Sequence, residues 1–177
     1  MRKAALMMVL AAVSAAALPV GLKAQTANGS VSATAIVEAN LTVSVAENLH
    51  FGSIQPTMGS TVSPGGPPAG AGQTLGALQV DHNSDVSVSA VVPATLTHTG
   101  GSTLPVTFSC GYSASATGAL IGAAAACNTL PDVAHPDDGT PVTTFLQVGG
   151  SINGADTAAA VPGTYTGNVV FTLTAQY

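Results

Sequence analysis

Apolar and polar residues alternate with a period of two through most of this chain. Strict alternation turns one face of an extended segment toward a core and the other toward water, which is typical of antiparallel β-strands. The alternation and the shorter apolar runs predict strands over residues 31–37, 41–45, 49–54, 76–82, 86–92, 104–110, 143–150 and 169–177.

Turn-forming residues separate these segments. Gly, Pro and Asp are concentrated in residues 59–73 and 131–141, and Asn153-Gly154 is a hairpin-type signal. No apolar stripe of helical period follows the first 24 residues, and the Ala-rich residues 118–127 predict a loop or a short helix. Short strands with frequent turns predict an all-β fold, a single antiparallel β-sandwich of immunoglobulin-like layout, with a β-barrel as the alternative.

The first 24 residues have the features of a secretory signal peptide. Arg2 and Lys3 precede a nearly unbroken apolar run over residues 4–17, and Pro19 follows it. A membrane anchor is the alternative, but the run is shorter than the roughly 20 residues that span a bilayer. We therefore expect an exported protein of the periplasm, cell surface or extracellular space, with residues 25–177 forming one β-sandwich domain.

Charge is distributed unevenly along the chain. The three basic residues all lie within the first 23 residues, and the eight carboxylates all follow. A mature chain without Lys or Arg cannot clamp phosphate or be drawn electrostatically to nucleic acid or an anionic membrane. We expect no nucleic-acid partner. No apolar run after residue 24 is long enough to cross a bilayer, so we also expect no membrane-spanning segment after signal cleavage.

The two cysteines, Cys110 and Cys127, predict a disulfide, because an isolated pair in an exported protein is most simply a cross-link. Free thiols or metal ligands are the alternative. Neither cysteine has a His or Cys partner at ligand spacing, so we predict no metal site there.

Two polar clusters are candidate sites. Asp81, Asn83 and Asp85 alternate like the oxygen ligands of a calcium loop, but Val86 follows where such loops have glycine, so a polar turn is the simpler interpretation. We predict that residues 134–139 form a solvated loop and that the four scattered histidines lie at the surface. Catalytic motifs are absent from the sequence, and we predict no enzymatic activity and no cofactor.

Tyr165 and Gly167 stand at the entry to the last predicted strand. In immunoglobulin-like domains a Tyr near a strand start can bond back to the backbone as a corner, and these residues predict such a structural corner. A glycan-stacking role for Tyr165 is the alternative.

Four segments in this order resemble a known bacterial family. They are SATAIVEANLTV (32–43), LHFGSIQPTMGSTVSP (49–64), QVGGSI (147–152) and GTYTGNVVFTLTAQY (163–177). Their order and spacing, over most of residues 30–177, resemble the bacterial domain of unknown function 4402 family. The general layout is also similar to chaperone–usher pilus subunits and the spore coat protein U group. Residues 108–128, with both cysteines, depart from the pattern. The resemblance implies a secreted, sandwich-like domain of bacterial surfaces and transfers no catalytic residue.

Two functions follow as expectations. The first is a structural or assembly subunit of a pilus, fimbria or coat, which associates with itself or with a periplasmic chaperone by strand addition. The candidate exchange or edge strand carries Val31, Ala33, Ala35 and Val37. The second is a self-contained extracellular module that binds a glycan or another surface protein. Whether residues 25–38 form a donor arm or the first core strand is left open by the sequence.

Overall fold

Antiparallel strands dominate the computed structural model, which describes residues 38–136 and 140–176 together with Ser32, Thr34 and Ala35. The predicted signal peptide and three of the four candidate exchange residues (Val31, Ala33 and Val37) lie outside the described residues. Residues 37–177 form one compact unit. The strands are β1 (Leu41–Glu47), β2 (His50–Phe51), β3 (Ser60–Val62), β4 (Gln73–Thr74), β5 (Gly76–His82), β6 (Val86–Val91), β7 (Thr95–His98), β8 (Thr103–Pro105), β9 (Thr107–Ser113), β10 (Val142–Ile152), β11 (Tyr165–Thr166) and β12 (Val170–Ala175).

The first layer is a five-stranded sheet built around β10. One edge of β10 pairs with β5 and then with β3, and the other edge pairs with β9; β1 extends the sheet by pairing with β5. The second layer consists of the β6–β12 pair and the three-stranded sheet β11–β7–β8. None of the sheets in the described part of the chain closes on itself. The predicted all-β antiparallel sandwich is confirmed.

The core lies between the two layers, where alternate residues of their strands meet. β7 and β8 contribute Leu96 and Leu104, which pack with residues of β9 and β10. The buried cluster comprises Leu96, Leu104, Val106, Phe108, Cys110, Cys127, Leu146, Val148 and Ile152. Because strand residues alternate between faces, Leu146 and Val148 point inward while Gln147 between them points away from the core.

The outward face of β10 is covered by loops, which explains why Gln147 is fully buried. Its Oε1 accepts a hydrogen bond from the Gly65 amide at 2.7 Å, and its Nε2 donates to the Ser115 and Gly118 carbonyls at 3.1 and 2.9 Å. Beside it, Leu120 packs over Gly111, where a Cβ would come within 2.8 Å of the leucine methyls. A buried amide with all these partners holds two loops against the sheet.

The predicted disulfide between Cys110 and Cys127 is confirmed, and both residues are buried in the core. It joins β9 to a short 3-10 helix, Cys127–Thr129. The intervening loop returns along β9 through isolated bridges at Leu120 and Ala125. The Ala-rich segment is therefore mostly loop, with helical geometry only at its end.

Two expectations from the sequence are corrected. Asn153-Gly154 does not form a hairpin: the Asn153 side chain accepts a hydrogen bond from the Ala155 amide at 3.0 Å and caps a single helical turn, Gly154–Thr157 (α1). His82 and His135 are not surface residues, since they are only 1% and 9% exposed.

Removing the disulfide is expected to lower stability. A cross-link between residues 17 apart is worth about 3 kcal/mol through loop entropy. The double variant Cys110→Ser/Cys127→Ser should therefore unfold at a clearly lower temperature than the oxidised parent in a calorimetric melt. Equal melting temperatures would show that the bond does not constrain the unfolded chain.

Tyr112 predicts a loss of stability at alkaline pH. Burial, followed by the nearby Asp132 carboxylate, raises the pKa of Tyr112 to about 12, and its hydroxyl donates to the Pro131 carbonyl at 2.6 Å. A raised pKa means that the folded state favours the neutral phenol. The contribution of the neutral Tyr112 phenol to folding stability is complete below pH 10, the ordinary tyrosine pKa. It is lost as the pH rises through about 12.

Tyr112→Phe should therefore lose less stability than the parent between pH 9 and 12, measured by denaturant unfolding. At neutral pH it should be about 1 kcal/mol less stable, because the hydrogen bond is gone. A parallel decline in parent and variant would contradict this assignment.

Candidate functional site

A groove of about 850 Å³ opens between the two layers at one side of the sandwich. We call it the interlayer groove. It is bounded by the end of β1 with residues 47–56, by the start of β5, and by residues 160–171. The core residues along it are Leu96, Leu104, Phe108, Val148 and Ile152. Side chains that are buried within the sandwich therefore also line an opening at its edge.

The first wall follows from the irregular end of β1. The register between β1 and β5 shifts between Val45 and Glu47, which marks a bulge or irregularity. The chain then passes into the two-residue strand β2, which pairs with β4. Leu49, Phe51 and Ile54 in this wall are only half-buried, although they pack against the core.

The second wall is formed by the segment that leads into β11 and β12. The Tyr165 hydroxyl donates to the Val161 carbonyl at 2.9 Å, and the Tyr165 ring lies 5.3 Å from the ring of His98. Gly167 lies in the same wall, where a Cβ would come within 2.9 Å of a Leu96 methyl. Tyr165 and Gly167 thus shape the groove wall, and the phenol bonds back to the backbone four residues upstream.

The inward face of β1 lacks cover. Val43 and Val45 pair with Val80 and Leu78 and share their face, because directly opposed residues of a ladder lie on the same side of the sheet. Val80 is only 1% exposed, whereas Val43 is 45% and Val45 is 63% exposed. The second layer therefore covers β5 and stops short of β1.

The inward face of β12 is also incompletely covered. Phe171, Leu173 and Ala175 alternate with exposed residues but are themselves only half-buried. Within the described residues, β12 pairs only with β6, and β1 pairs only with β5. Each strand thus has one edge without a ladder partner there, next to apolar side chains that the sandwich does not fully bury.

The groove is poor in charge. Glu47 is the single carboxylate in its lining, and no lysine or arginine occurs anywhere after Lys23. Most of the lining is apolar side chain and backbone. Such a surface favours apolar residues with main-chain donors and acceptors over a charged ligand.

Residues Asp81, Asn83 and Asp85 do not form one site. Asp81 accepts hydrogen bonds from the side chains of Thr143, Gln79 and Thr42 on the outward face of the first sheet. These bonds, above all the one from Thr143, lower the pKa of Asp81. Asp85 accepts instead from the His135 amide at 2.7 Å. Across the described ranges, no three His, Cys, Asp or Glu side chains converge to hold a metal ion.

Asn83 binds the chain that enters β1. Its side-chain Oδ1 accepts from the Asn40 backbone amide at 2.6 Å, and its Nδ2 donates to the Glu38 carbonyl at 3.4 Å. Its backbone amide donates to the Asn40 carbonyl at 3.3 Å. We call these three contacts the Asn83 clamp.

The two buried histidines, His82 and His135, lie together beside the turn that follows β5. One His82 ring nitrogen contacts the Ser84 carbonyl at 2.8 Å, and the other contacts the Thr144 hydroxyl at 3.2 Å. The His135 ring packs edge-on against His82 at 5.4 Å and contacts the Thr140 carbonyl at 2.7 Å. Sequence alone gave no signal for this pair, because the two residues are 53 positions apart and meet only when the chain folds.

The candidate exchange strand is only partly described. Ala35 is exposed and belongs to no strand, and the same holds for Ser32, Thr34, Glu38 and Asn40. The first strand among the described residues begins at Leu41.

No family model, curated protein or solved structure matches this chain. No helix among the described residues is long and apolar enough to cross a membrane.

The Tyr165 contact predicts a modest loss of stability in Tyr165→Phe. Phenylalanine keeps the ring against His98 but removes the bond to Val161, and such a bond contributes about 1 kcal/mol. Denaturant unfolding should show a lower midpoint with an unchanged slope. An unchanged midpoint would mean that the hydroxyl does not hold this wall.

Proposed function

We propose that this protein is an exported, non-enzymatic subunit of a bacterial surface structure such as a pilus, fimbria or coat, and that it assembles by taking a β-strand into the interlayer groove. The observation that carries the proposal is the open side of the sandwich. There, the uncovered inward face of β1 and the half-covered inward face of β12 border the same opening.

An added strand would supply both features that this opening lacks: a partner for a strand edge and cover for apolar side chains. Its main chain would pair with a strand edge that has no ladder partner among the described residues, as in other cases of β-strand addition. Its alternate side chains would cover Val45 and Phe171 and remove their apolar surface from water. Neither a phosphate-bearing nor an acidic ligand would find a lysine or arginine in this lining to pair with.

The start of the first described strand favours a donor arm over a first core strand. Ladder pairing begins at Leu41, and the described residues before it belong to no strand. Residues 25–38, which we call the N-terminal arm, are the segment that the sequence offers for exchange. The arm carries Val31, Ala33, Ala35 and Val37 at alternate positions.

The sequence supports the same proposal. The predicted signal peptide, the absence of basic residues from the mature chain and the resemblance to secreted sandwich domains of bacterial surfaces are typical of exported assembly proteins. A periplasmic chaperone could occupy the groove before assembly, in the same way as a second subunit.

A peptide-binding experiment tests this function. The receptor is chain 25–177 with Ala33→Asp and Ala35→Asp, so that its own arm cannot enter an apolar groove. A synthetic peptide of residues 25–38 should raise the melting temperature of this receptor by about 5–10 °C at 100 times its Kd, because only the folded state binds it. A peptide with the same two aspartates should have no effect.

Matched groove variants provide the control. Val45 lines the groove and is 63% exposed, whereas Val91 is 74% exposed on β6 and does not line it. Added to the receptor, Val45→Asp should abolish the effect of the peptide, and Val91→Asp should preserve it. Equal melting curves with and without the natural peptide would contradict strand uptake, and stabilisation by a glycan in place of the peptide would favour a binding module.

A further inference from the structure

We infer that Asn40 is a site of asparagine-linked glycosylation, at which the exported chain receives an oligosaccharide from a lipid-pyrophosphate donor. Asn40, Leu41 and Thr42 form the acceptor pattern of this modification, in which Ser or Thr stands two positions after the asparagine and the residue between them is not proline. The inference requires the export that the signal peptide predicts, but it does not require strand uptake.

The Asn40 side chain is open to a modifying enzyme. The Asn83 clamp binds Asn40 only through its backbone amide and carbonyl. Within the part of the chain that the structure describes, the Asn40 carboxamide makes no hydrogen bond, and the residue is exposed to solvent. The clamp therefore fixes the backbone and leaves the side-chain nitrogen unoccupied by the fold.

The hydroxyl of the acceptor pattern is accessible as well. Thr42 is exposed and pairs with Asp81, and its hydroxyl donates to the Asp81 carboxylate at 3.5 Å, which is long for a hydrogen bond. Asn40 lies two residues before Thr42, the spacing that places two side chains on the same side of an extended chain. A transferase can thus meet the carboxamide and the hydroxyl from one direction, on the outward face of the first sheet.

The acceptor pattern lies at the end of an edge strand. Among the described residues, β1 pairs only with β5, and residues 38–40 belong to no strand. A transferase must hold several residues around the asparagine in its own cleft. Opening of the first two ladder pairs, Leu41 with His82 and Thr42 with Asp81, is enough to release the whole pattern. Such fraying at the end of a strand costs far less than global unfolding.

No asparagine after Asn40 has Ser or Thr two positions later. Asn48 is the closest match, since it is exposed and is also followed by leucine, but His50 stands where the hydroxyl is needed. A second acceptor pattern, Asn28-Gly29-Ser30, lies outside the described residues. Asn40 is therefore the position at which the pattern and the exposure of the described chain coincide.

The transfer forms one bond and breaks another. The Asn40 side-chain nitrogen, Nδ2, bonds to the anomeric carbon of the first sugar of the donor. The bond between that carbon and the pyrophosphate oxygen breaks, and the lipid pyrophosphate leaves with the electron pair. Nδ2 loses one of its two protons to a base of the transferase, so no oxidant or reductant is needed. The Thr42 hydroxyl positions the acceptor and is not consumed.

The sugar is compatible with the fold and with strand uptake. The lining of the interlayer groove includes Val45 and Glu47 of β1 but neither Asn40 nor Thr42. Five residues of strand separate Asn40 from Val45 by about 17 Å, at about 3.3 Å per residue. The sugar also adds hydrated groups to a chain in which only 6% of residues are charged, compared with about a quarter in typical soluble domains.

Export of the full chain 1–177 tests the inference, in a bacterial host that carries an asparagine-linked oligosaccharyltransferase and its lipid-linked donor. Asn28→Gln is present in every protein, so that one acceptor pattern remains. Intact mass spectrometry should show one oligosaccharide on this parent and on Thr42→Ser, which keeps the hydroxyl. Asn40→Gln and Thr42→Val should carry none, whereas the matched control Asn48→Gln should be modified like the parent.

The melting temperature shows that a missing sugar does not reflect misfolding. Expressed without the transferase, Asn40→Gln should melt like the parent, because the Asn83 clamp uses only the backbone of Asn40. A parent without sugar would overturn the inference, as would a sugar that persists in Asn40→Gln. Binding of the 25–38 peptide to the unmodified receptor is measured separately, so failure of strand uptake and failure of glycosylation are distinguishable.

Discussion

The pairing of β10 with three other strands is the constraint on which the rest of this structure depends. β5 and β3 follow one another along one edge of β10 while β9 occupies the other, so this strand joins the N-terminal and C-terminal halves of the first layer. Leu146 and Val148 form the core on one face, and Gln147 holds two loops on the other. The disulfide from Cys110 of β9 lies one strand away, so it reinforces the same assembly from its neighbour.

With the centre held in this way, the sandwich tolerates an incomplete edge. The exposed fraction of inward-facing valines rises from 1% at Val80 of β5 to 63% at Val45 of β1. Uncovered apolar surface of this kind marks an interaction site or an aggregation hazard, especially beside a strand edge without a partner. We interpret it as a binding site for a strand.

Much of the fold could be predicted from the alternation of residues, and the failures have physical reasons. The strands β5, β10 and β12 were found because each carries apolar residues at alternate positions, such as Leu146 and Val148 in β10. The two-residue strands β4 and β11 are too short for a period to be recognised, and the strand predicted over residues 49–54 forms only over His50–Phe51. Asn153-Gly154 was misassigned because asparagine serves both turns and helix caps. The buried His82 and the groove itself arise from contacts between distant segments, which local patterns do not encode.

Amide hydrogen exchange along β1 and β12 tests the central claim most directly. It compares the parent chain 25–177 with the Ala33→Asp/Ala35→Asp variant at equal concentration. In an antiparallel ladder, alternate amides point to opposite edges of a strand. Strand uptake predicts slower exchange in the parent at alternate residues along the outer edge of β1 or β12, with the amides that face β5 and β6 unchanged. Equal exchange at both outer edges in the two proteins would contradict the account.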